Sequence, residues 1–330
     1  MNNLTSFAAI AACMTMSIAS CSQTETTPET QTKYNPIEIT AKIGGLESKA
    51  VPSKDNEVIV NKVQIFVFNE DGSIDGYTSA TQYTNNVKVR CTPGKKTIYA
   101  IVNGPDEKVE SKSELEKKVS WLKDNADRNY IMTGFENSEL DAASEVTIPV
   151  RRIAARIVLE NVIRQFTSPA LGDKQLDLTG VYAINVCGDI SYDLSSSPTI
   201  WYNMQKNENT NDVSHLIYKS LSKQNIKNNT TIPVGAYIYV YPNSTTEDSF
   251  SMGGGPRKTR LIVEFVFNGK TCYYPITFDK IEANKTYTVN NLTLTRPGGE
   301  NPDSEITVND CQFNIRVEDW EVGFSDNIQI

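Results

Sequence analysis

Apolar and polar residues alternate along most of the chain from residue 37 onward. A period of two places every second side chain on the same face of a β-strand, so the pattern predicts strands with one buried and one solvated face. Gly, Asn, Asp and Pro separate the runs, as expected between antiparallel strands. The clearest runs of the N-terminal half are 37–43, 58–68, 87–91, 96–102, 145–150 and 153–159.

A second series of strand-like runs fills the C-terminal half. It comprises residues 181–186, 237–241, 260–267, 272–278, 286–294 and 313–317. The alternation of strand and helix that marks a parallel α/β sheet is missing. We therefore predict a mainly β chain of two β-sandwich domains in tandem, with one or two short helices and a boundary near residue 165.

One helix is predicted, over residues 111–123. Ser111 and Glu114 have the spacing of a capping box, in which each side chain bonds to a free backbone N–H at the helix start. Leu115, Val119 and Leu122 share one helical face, which should lie on a sheet.

The first two predicted strands are joined by a long polar segment, GGLESKAVPSKDNEVIV, at residues 44–60. This segment is too long for a tight hairpin turn, and it contains Lys49 and Lys54 among small and polar residues. We call it the seam. Its composition raises the possibility of a protease site as well as that of a simple loop.

The N-terminal residues 4–21 are apolar and end in Ile-Ala-Ser-Cys. This run is typical of a secretory signal peptide and is too short to span a membrane. Its end resembles a bacterial lipobox, in which cleavage between Ser20 and Cys21 leaves Cys21 to be acylated and to anchor the chain. Residues 22–35 are rich in Thr, Glu and Gln and are predicted to form a flexible tether. The alternative is a cytosolic protein with an apolar N-terminal helix.

Composition argues against several classes of function. The net charge is −8, from 32 basic and 40 acidic residues, and no long basic block marks a nucleic-acid surface. The one histidine, His215, lies in a polar stretch without a ligand pattern, so we predict a surface or loop residue. The remaining cysteines lack zinc spacing, and buried thiols are favoured over a single disulfide. They are Cys91, Cys187, Cys272 and Cys311. We predict no catalytic residue, metal or cofactor.

Three short motifs suggest ligand sites but have plainer interpretations. Residues 93–97 lack the first glycine of a phosphate loop and join two predicted strands, so they are predicted to form a turn. Residues 71–76 carry oxygen side chains at calcium-loop spacing, yet the twelfth position is Gln82, so a hairpin turn is favoured. The four arginines between 151 and 164 are interpreted as a solvated strand face, with a partner-binding patch as the alternative.

The motifs in this order resemble the fimbrillins, the subunits of the type V pilus of Bacteroidales. The lipobox at Cys21 is followed by KVQIFVFNEDG at 62–72 and PVRRIAARI at 149–157. The later segments that carry the resemblance are TRLIVEF at 259–265, IEANKTYTV at 281–289 and VEDW at 317–320.

The resemblance implies transthyretin-like sandwiches and an outer-membrane lipoprotein precursor that ends in a cell-surface fimbrium. It implies that a trypsin-like protease removes the first strand and that a strand of another pilin subunit fills the groove. The resulting division is a signal peptide at 1–21, a propeptide at 22–49, and domains at 50–165 and 166–330. The removable strand presents Ile37, Ile39, Ala41 and Ile43 on one side.

The C-terminal tail is the predicted donor strand. Its apolar residues share one parity and are Trp320, Val322, Phe324, Ile328 and Ile330. The alternative is a strand that completes its own domain.

The predicted cleavage site lies in the seam. Fimbrillins commonly have an arginine at the cut, but no arginine precedes Arg90 here. We predict cleavage between Lys49 and Ala50, with Lys54–Asp55 as the second choice. Without cleavage, the subunit would stay anchored at the base of a fibre.

The main alternative function is a monomeric surface lipoprotein that binds a glycan or a host protein. Its contact residues would be the aromatic side chains Trp201, Tyr202, Tyr237, Tyr239 and Tyr241. A hydrolase that uses only carboxylates is a third alternative, for which no motif argues. Partners of a pilus subunit would be identical or related pilins, the maturation protease, the outer membrane and surface ligands, but not nucleic acid.

Overall fold

In a computed structural model, the described part of the protein contains three large β-sheets of four to seven strands each. The structure describes residues 35–45, 55–81, 86–202, 210–248, 256–303, 306–307 and 309–320. The prediction of a mainly β fold is confirmed.

The N-terminal half supplies the first eight strands. They are β1 (Ile37–Gly45), β2 (Val63–Asn69), β3 (Ile74–Ala80), β4 (Val87–Cys91), β5 (Gly94–Val102), β6 (Val119–Trp121), β7 (Met132–Leu140) and β8 (Glu145–Arg152).

The remaining strands follow in the C-terminal half. They are β9 (Ala155–Arg164), β10 (Leu176–Ile184), β11 (Val186–Cys187), β12 (Asp189–Ser191), β13 (Trp201–Tyr202), β14 (Tyr218–Asn225), β15 (Thr230–Val240), β16 (Arg260–Phe267), β17 (Lys270–Thr277), β18 (Lys285–Leu294), β19 (Cys311–Gln312) and β20 (Ile315–Asp319).

The helices are short. In the described part of the chain they are α1 (Lys112–Lys117), α2 (Pro169–Gly172) and α3 (Ser214–Ile217), and 3-10 turns lie at Asp55–Glu57, Leu122–Asp124 and Thr210–Asp212. The described residues thus contain three short α-helices, whereas one or two were predicted.

The predicted helix at 111–123 is correct only for its first half. Ser111 accepts a hydrogen bond from the backbone N–H of Glu114, as the capping-box spacing predicts. The helix ends at Lys117, however, and Val119–Trp121 pairs with β12 as strand β6. Backbone pairing with a distant strand therefore outweighed the helical spacing of the apolar residues. Leu122 is buried as predicted, but it lies in a 3-10 turn and not in the helix.

The N-terminal sheet has seven strands in the order β3-β2-β5-β7-β8-β1-β4. Alternation divides its buried side chains between two cores. On β2, Val63, Ile65 and Val67 face a smaller core, formed within this sheet, while Phe66 and Phe68 face a larger core shared with the C-terminal half. The continuous apolar run of β2 is explained because both of its faces are buried.

The C-terminal half contains a four-stranded sheet, β14-β10-β16-β17, and a second sheet, β15-β9-β18-β19, in which β20 also pairs with β18. β9 is central in the second sheet, antiparallel to β15 and parallel to β18. The chain therefore leaves the N-terminal sheet at Arg152, the end of β8, and enters the C-terminal sheet at Ala155, the start of β9. The domain boundary at 165/166 stays a prediction.

The interpretation of the arginines as a solvated strand face is wrong for three of the four. Arg152, Arg156 and Arg164 are at most 1% exposed, and only Arg151 lies at the surface. Consecutive residues from Ala155 to Leu159 are all buried, so both faces of β9 are covered, including the side of Arg156. Arg164, for example, donates hydrogen bonds to the carbonyl oxygens of Ile226, Leu171 and Lys174.

Candidate functional site

β1 lies inside the N-terminal sheet and pairs with a neighbour on each side. It runs parallel to β8, with Ile43 opposite Ile148. It runs antiparallel to β4, with Ile39 opposite Val89. Without β1, two facing strand edges would lose their hydrogen-bond partners, and a groove would open between them. One added strand of the same length could satisfy both edges.

The inner face of β1 covers the smaller core. Ile39 and Ala41 are fully buried, Ile43 is 5% exposed, and Ile37 packs at the margin. The structure thus places all four residues of the predicted removable strand in β1, with the alternation that the sequence predicts. Their removal stays a prediction.

The outer face of β1 carries ion pairs at the surface. Lys88 donates a hydrogen bond to Glu38 over 2.7 Å, and Lys42 does so to Glu145 over 2.7 Å. The hydrogen bond and positive charge of Lys88 lower the pKa of Glu38. Exposed pairs of this kind contribute little to stability. β1 is therefore held mainly by its apolar side chains and its backbone ladders.

A buried polar group lies near the end of the seam, where the described chain resumes at residue 55. Glu57, the last residue of the first 3-10 turn, is 1% exposed. Its carboxylate accepts hydrogen bonds from Arg156 Nη1 at 2.6 Å and from the Tyr239 hydroxyl at 2.6 Å. The indole Nε1 of Trp320 donates to the same carboxylate at 3.3 Å. Arg152 Nη2 donates to the Glu57 carbonyl oxygen at 2.8 Å. We call these five residues the junction cluster.

Aromatic rings complete the packing around Trp320. The guanidinium carbon of Arg152 lies 4.2 Å from the centre of the indole ring, and that of Arg156 lies 5.0 Å away. The rings of Tyr239 and Tyr130 are centred 5.6 and 5.8 Å from Trp320. Cation–π and edge-to-face contacts of this kind are strongest where water is excluded, as it is here.

Burial changes the acid–base behaviour of the junction cluster. It lowers the pKa of Arg152 to about 10, although the nearby Glu57 carboxylate opposes this shift. Burial also raises the pKa of Tyr239, assisted by the neighbouring Tyr130 and Glu57, and it raises the pKa of Tyr130 itself. Tyr239 and the adjacent Tyr130 therefore stay neutral through the physiological range.

Trp320 is the last described residue of the chain and follows β20 directly. β20 pairs only with β18 among the described strands, and Val317 on it is 49% exposed. Trp320 is fully buried, and its backbone N–H donates to the Asn284 carbonyl oxygen at 2.8 Å. A lightly covered strand thus ends at a residue held firmly by its own chain.

The structure brings only part of the predicted site into view. The lipobox at Ser20 and Cys21 and the residues Lys49, Ala50 and Lys54 lie outside the described residues, as do Val322, Phe324, Ile328 and Ile330. Asp55 begins the 3-10 turn that ends at Glu57. Trp320 and the four β1 residues belong to different parts of the fold, since β20 pairs within the C-terminal sheet and β1 within the N-terminal sheet.

Sequence reasoning missed Glu57 as a structural residue because it stands alone in a polar segment. A signal was available in its partners: Arg152 and Arg156 interrupt the apolar run IPVRRIAARIVL at an even spacing. Two charges on one side of such a run are expected to need a buried counter-charge.

The aromatic residues expected to contact a glycan or a host protein are mostly core residues. Tyr237 is half-buried. Trp201, Tyr202, Tyr239 and Tyr241 are between 0 and 7% exposed. They therefore offer no exposed aromatic platform, which removes the residue basis of that alternative.

The histidine and the cysteines have contacts and burial that are ordinary for structural residues. His215 is exposed, as predicted, and its Nε2 lies 3.0 Å from the Asn125 carbonyl oxygen. The thiols of Cys91, Cys187, Cys272 and Cys311 are all buried. Within the described ranges, no group of three or more His, Cys, Asp or Glu side chains is arranged to hold a metal ion.

None of the helices in the described part of the chain has the length and hydropathy needed to cross a membrane.

Comparison with known proteins confirms the resemblance to the fimbrillins. Residues 39–152 match the model of a family described as Major fimbrial subunit protein (FimA). The chain is 28% identical over 298 residues to the Major fimbrium subunit FimC of Porphyromonas gingivalis. That alignment covers 84% of this chain but 61% of the relative, so the chain spans about three fifths of its relative's length.

Solved structures show the same fold. A Bacteroides eggerthii protein assigned to cell adhesion superposes with a TM-score of 0.68 at 16% identity, covering 87% of this chain and 97% of that one. A fimbrilin (FimA) from Porphyromonas gingivalis gives a TM-score of 0.60 at 16% identity, covering 87% and 99%. The tip fimbrial protein Mfa3 from the same species gives 0.53 at 11% identity, covering 86% and 99%. At these identities the likeness establishes the fold alone.

Proposed function

We propose that this protein is a structural subunit of a surface pilus and polymerises by donor-strand exchange. The carrying observation is β1, which is inserted between β8 and β4 and covers the smaller core with alternating apolar side chains. The family match begins within this strand, at Ile39, and so includes most of it. In this proposal the two sets of sheets are tandem transthyretin-like sandwiches. The chain acts as part of an adhesive fibre and is not an enzyme.

Maturation in this proposal begins with a lipoprotein precursor. Cys21 is acylated after cleavage at Ser20–Cys21, and the lipid holds the precursor at the outer membrane. A trypsin-like protease then cuts the seam between Lys49 and Ala50, or between Lys54 and Asp55. Both bonds lie after the end of β1 at Gly45, so either cut releases the strand whole. Lys42 is a poorer site because it lies within β1 and pairs with Glu145.

The donor segment in this proposal is the tail that follows β20. Val322, Phe324, Ile328 and Ile330 share one parity and can occupy the positions of alternate β1 residues. Trp320 was predicted as a donor residue too, but its burial in the junction cluster favours a different role. We propose that Trp320 anchors the tail to its own subunit while the residues beyond it reach the groove of the next subunit.

The test is to identify the N-terminus of protein shed from the cell surface and its state of assembly. The proposal predicts polymer whose chains begin at Ala50 or Asp55. A mature start at Cys21 in an assembled fibre would indicate an uncleaved anchor subunit at its base. A start at Cys21 without any polymer would contradict the proposal.

A second experiment separates assembly from ligand binding. Deletion of residues 321–330 should abolish polymer formation while leaving the folded subunit at the surface. The matched control replaces Val317, an exposed residue of β20, by Ala, which should leave assembly intact. Normal polymers from the truncated chain would exclude the tail as the donor.

A further inference from the structure

A lysine, an asparagine and an aspartate meet at one end of the smaller core. Lys96 Nζ lies 2.5 Å from Asn69 Oδ1 and 2.7 Å from Asp75 Oδ2. The side chain of Lys96 is 2% exposed and that of Asp75 is 11% exposed. The amine of Lys96 is thus in contact with both a carboxamide and a carboxylate, and an amine is a potential nucleophile.

The fold explains why the three side chains converge. Asn69 at the end of β2 is directly opposite Lys96 on β5. Lys96 has the parity of Ile98 and Ala100, so it points to the same side as the smaller core. Asp75 falls at a register irregularity, where Val67 pairs with Gly76 but Phe68 pairs with Ile74. A bulge of this kind redirects the extra residue, which here turns its carboxylate to Lys96.

Further contacts hold the two oxygen-bearing partners. Asp75 accepts hydrogen bonds from the backbone N–H of Thr92 at 2.7 Å and from its hydroxyl at 3.1 Å. The Thr92 hydroxyl also lies 2.9 Å from Lys96 Nζ. Asn69 Nδ2 donates to Ser73 Oγ at 3.0 Å, which fixes the orientation of the amide. The amine and the amide are therefore placed before any reaction occurs, which is a main source of rate acceleration.

We propose that Lys96 and Asn69 form an intramolecular isopeptide bond with Asp75 as the proton carrier. Asp75 accepts one proton from the Lys96 ammonium group, and the lone pair of the resulting amine attacks Cγ of Asn69. As the Nζ–Cγ bond forms, Nζ loses a second proton. Asp75 passes both protons in turn to Nδ2, the Cγ–Nδ2 bond breaks, and ammonia leaves as an ammonium ion while Asp75 is ionised again. No oxidant, reductant or further reactant is needed, because an amide and an ammonium group are exchanged for an amide and an ammonium ion.

The reaction centre lies close to the protein surface, because the side chain of Asp75 is 11% exposed. A surface pocket of 390 Å³ is lined by Lys96 together with Glu70, Lys95 and Thr97. The bond would tie β2 to β5 across a hydrogen-bonded pair of strands. It would also close the loop that contains β3 and β4, so it would restrict the unfolded chain as a disulfide does, without being reducible.

The test is mass spectrometry of the full chain and of its peptides after denaturation and reduction. The expected mass is lower than that of the unmodified chain by one ammonia, and a proteolytic digest should contain one branched peptide joining Asn69 to Lys96. The variant Lys96→Arg should lack both signals. Lys95→Arg is the matched control, since Lys95 is exposed on the same strand, and it should keep both.

The role of Asp75 is tested by Asp75→Asn, which preserves the size of the side chain. This variant should leave Asn69 and Lys96 unlinked, with a β-sheet circular dichroism spectrum like that of the wild type. An unmodified wild-type mass with two linear peptides would overturn the proposal and leave a buried ion pair. Linkage that persists in Asp75→Asn would overturn the assigned proton carrier. Because the wild-type mass is decisive alone, a variant that fails to fold does not obscure the result.

Discussion

β1 and the C-terminal end of the described chain are held in place by opposite means. β1 pairs on both edges and buries a regular apolar face, while its polar contacts lie at the surface. β20 pairs on one edge and is partly exposed, but it ends at Trp320 in the junction cluster. The first kind of attachment depends on alternation and length, which another strand can reproduce. The second depends on one group of specific residues and cannot be copied so easily.

Removal of β1 should have the largest effect. Burial of Ile39 and Ile43 alone is worth about 1.5–3 kcal/mol for each side chain, and total stabilities are only about 5–15 kcal/mol. Deletion of residues 35–45 should therefore lower the melting temperature strongly and increase hydrogen exchange in β4 and β8.

A peptide of residues 321–330 should restore part of the stability lost with β1. The control is a peptide of the same composition with its apolar residues shifted by one position, which should not restore it. An unchanged melting temperature after deletion of 35–45 would show that β1 does not hold this sheet together.

Trp320→Ala should have the next largest effect, because it empties the centre of the junction cluster. Truncation of a buried Trp costs about 3–5 kcal/mol of the free energy of unfolding, which denaturant titration can measure. Hydrogen exchange should rise in β20 and remain unchanged in β1. Val317→Ala, at an exposed position of the same strand, is the control and should change stability by less than about 0.5 kcal/mol. Equal loosening of β1 and β20 would contradict the separation of the two attachments.

Glu57→Gln should have a smaller effect that again falls on the C-terminal end. The substitution keeps the size of the side chain but removes the charge that accepts from Arg156 and Tyr239. Hydrogen bonds to charged groups contribute about 1.5–3 kcal/mol, so chemical denaturation should show a loss of that order. Glu145→Gln is the matched control at an exposed ion pair beside β1, and it should be nearly neutral. A neutral Glu57→Gln would show that the carboxylate is not needed.

Alkaline pH should weaken the junction cluster before it weakens β1. Burial raises the pKa of Tyr130 and Tyr239, whereas tyrosines of the unfolded chain lose their protons near pH 10. Above that pH these two tyrosines bind fewer protons in the unfolded state than in the folded state, so each lowers the free energy of unfolding by up to about 1.4 kcal/mol per pH unit. The lowered pKa of Arg152 offsets part of this fall.

Tyrosinate absorbance should therefore rise together with loss of fold, and hydrogen exchange should increase first in β20. Free titration of all tyrosines near pH 10 with the fold intact would contradict this prediction.

Local alternation made much of the fold predictable. β1, β4 and β8 follow period-two runs, β2 follows a continuous apolar run, and the turn after β2 follows its Asp and Gly residues. The burial of a strand's side chains by segments distant in sequence was not predictable in the same way. Arg152 and Arg156 had the pattern of a solvated face, but segments distant in sequence cover them. Likewise, Val119 had helical spacing, yet β12 recruited it into a strand. Charges whose partners are about a hundred residues away give no local signal.

Of the candidate site, β1 was predictable from the sequence and the junction cluster was not. The alternating face of β1 follows from the sequence because it repeats within nine residues. The junction cluster joins residues 57, 152, 156, 239 and 320 and depends on the complete fold. Trp320 illustrates the difference. Its position in the alternating pattern of the tail was visible in the sequence, but the contacts that bury it within its own chain were not.

Donor-strand exchange requires that the tail of another subunit fills the position of β1 after maturation. A photo-crosslinking amino acid at Ile148 of β8, directly opposite Ile43, reports which strand lies in that position. In monomeric precursor the cross-link should join Ile148 to residues 37–45 of the same chain. In polymer isolated from the cell surface it should join residues 322–330 of a neighbouring chain. Cross-links to residues 37–45 of the same chain in the polymer would contradict donor-strand exchange.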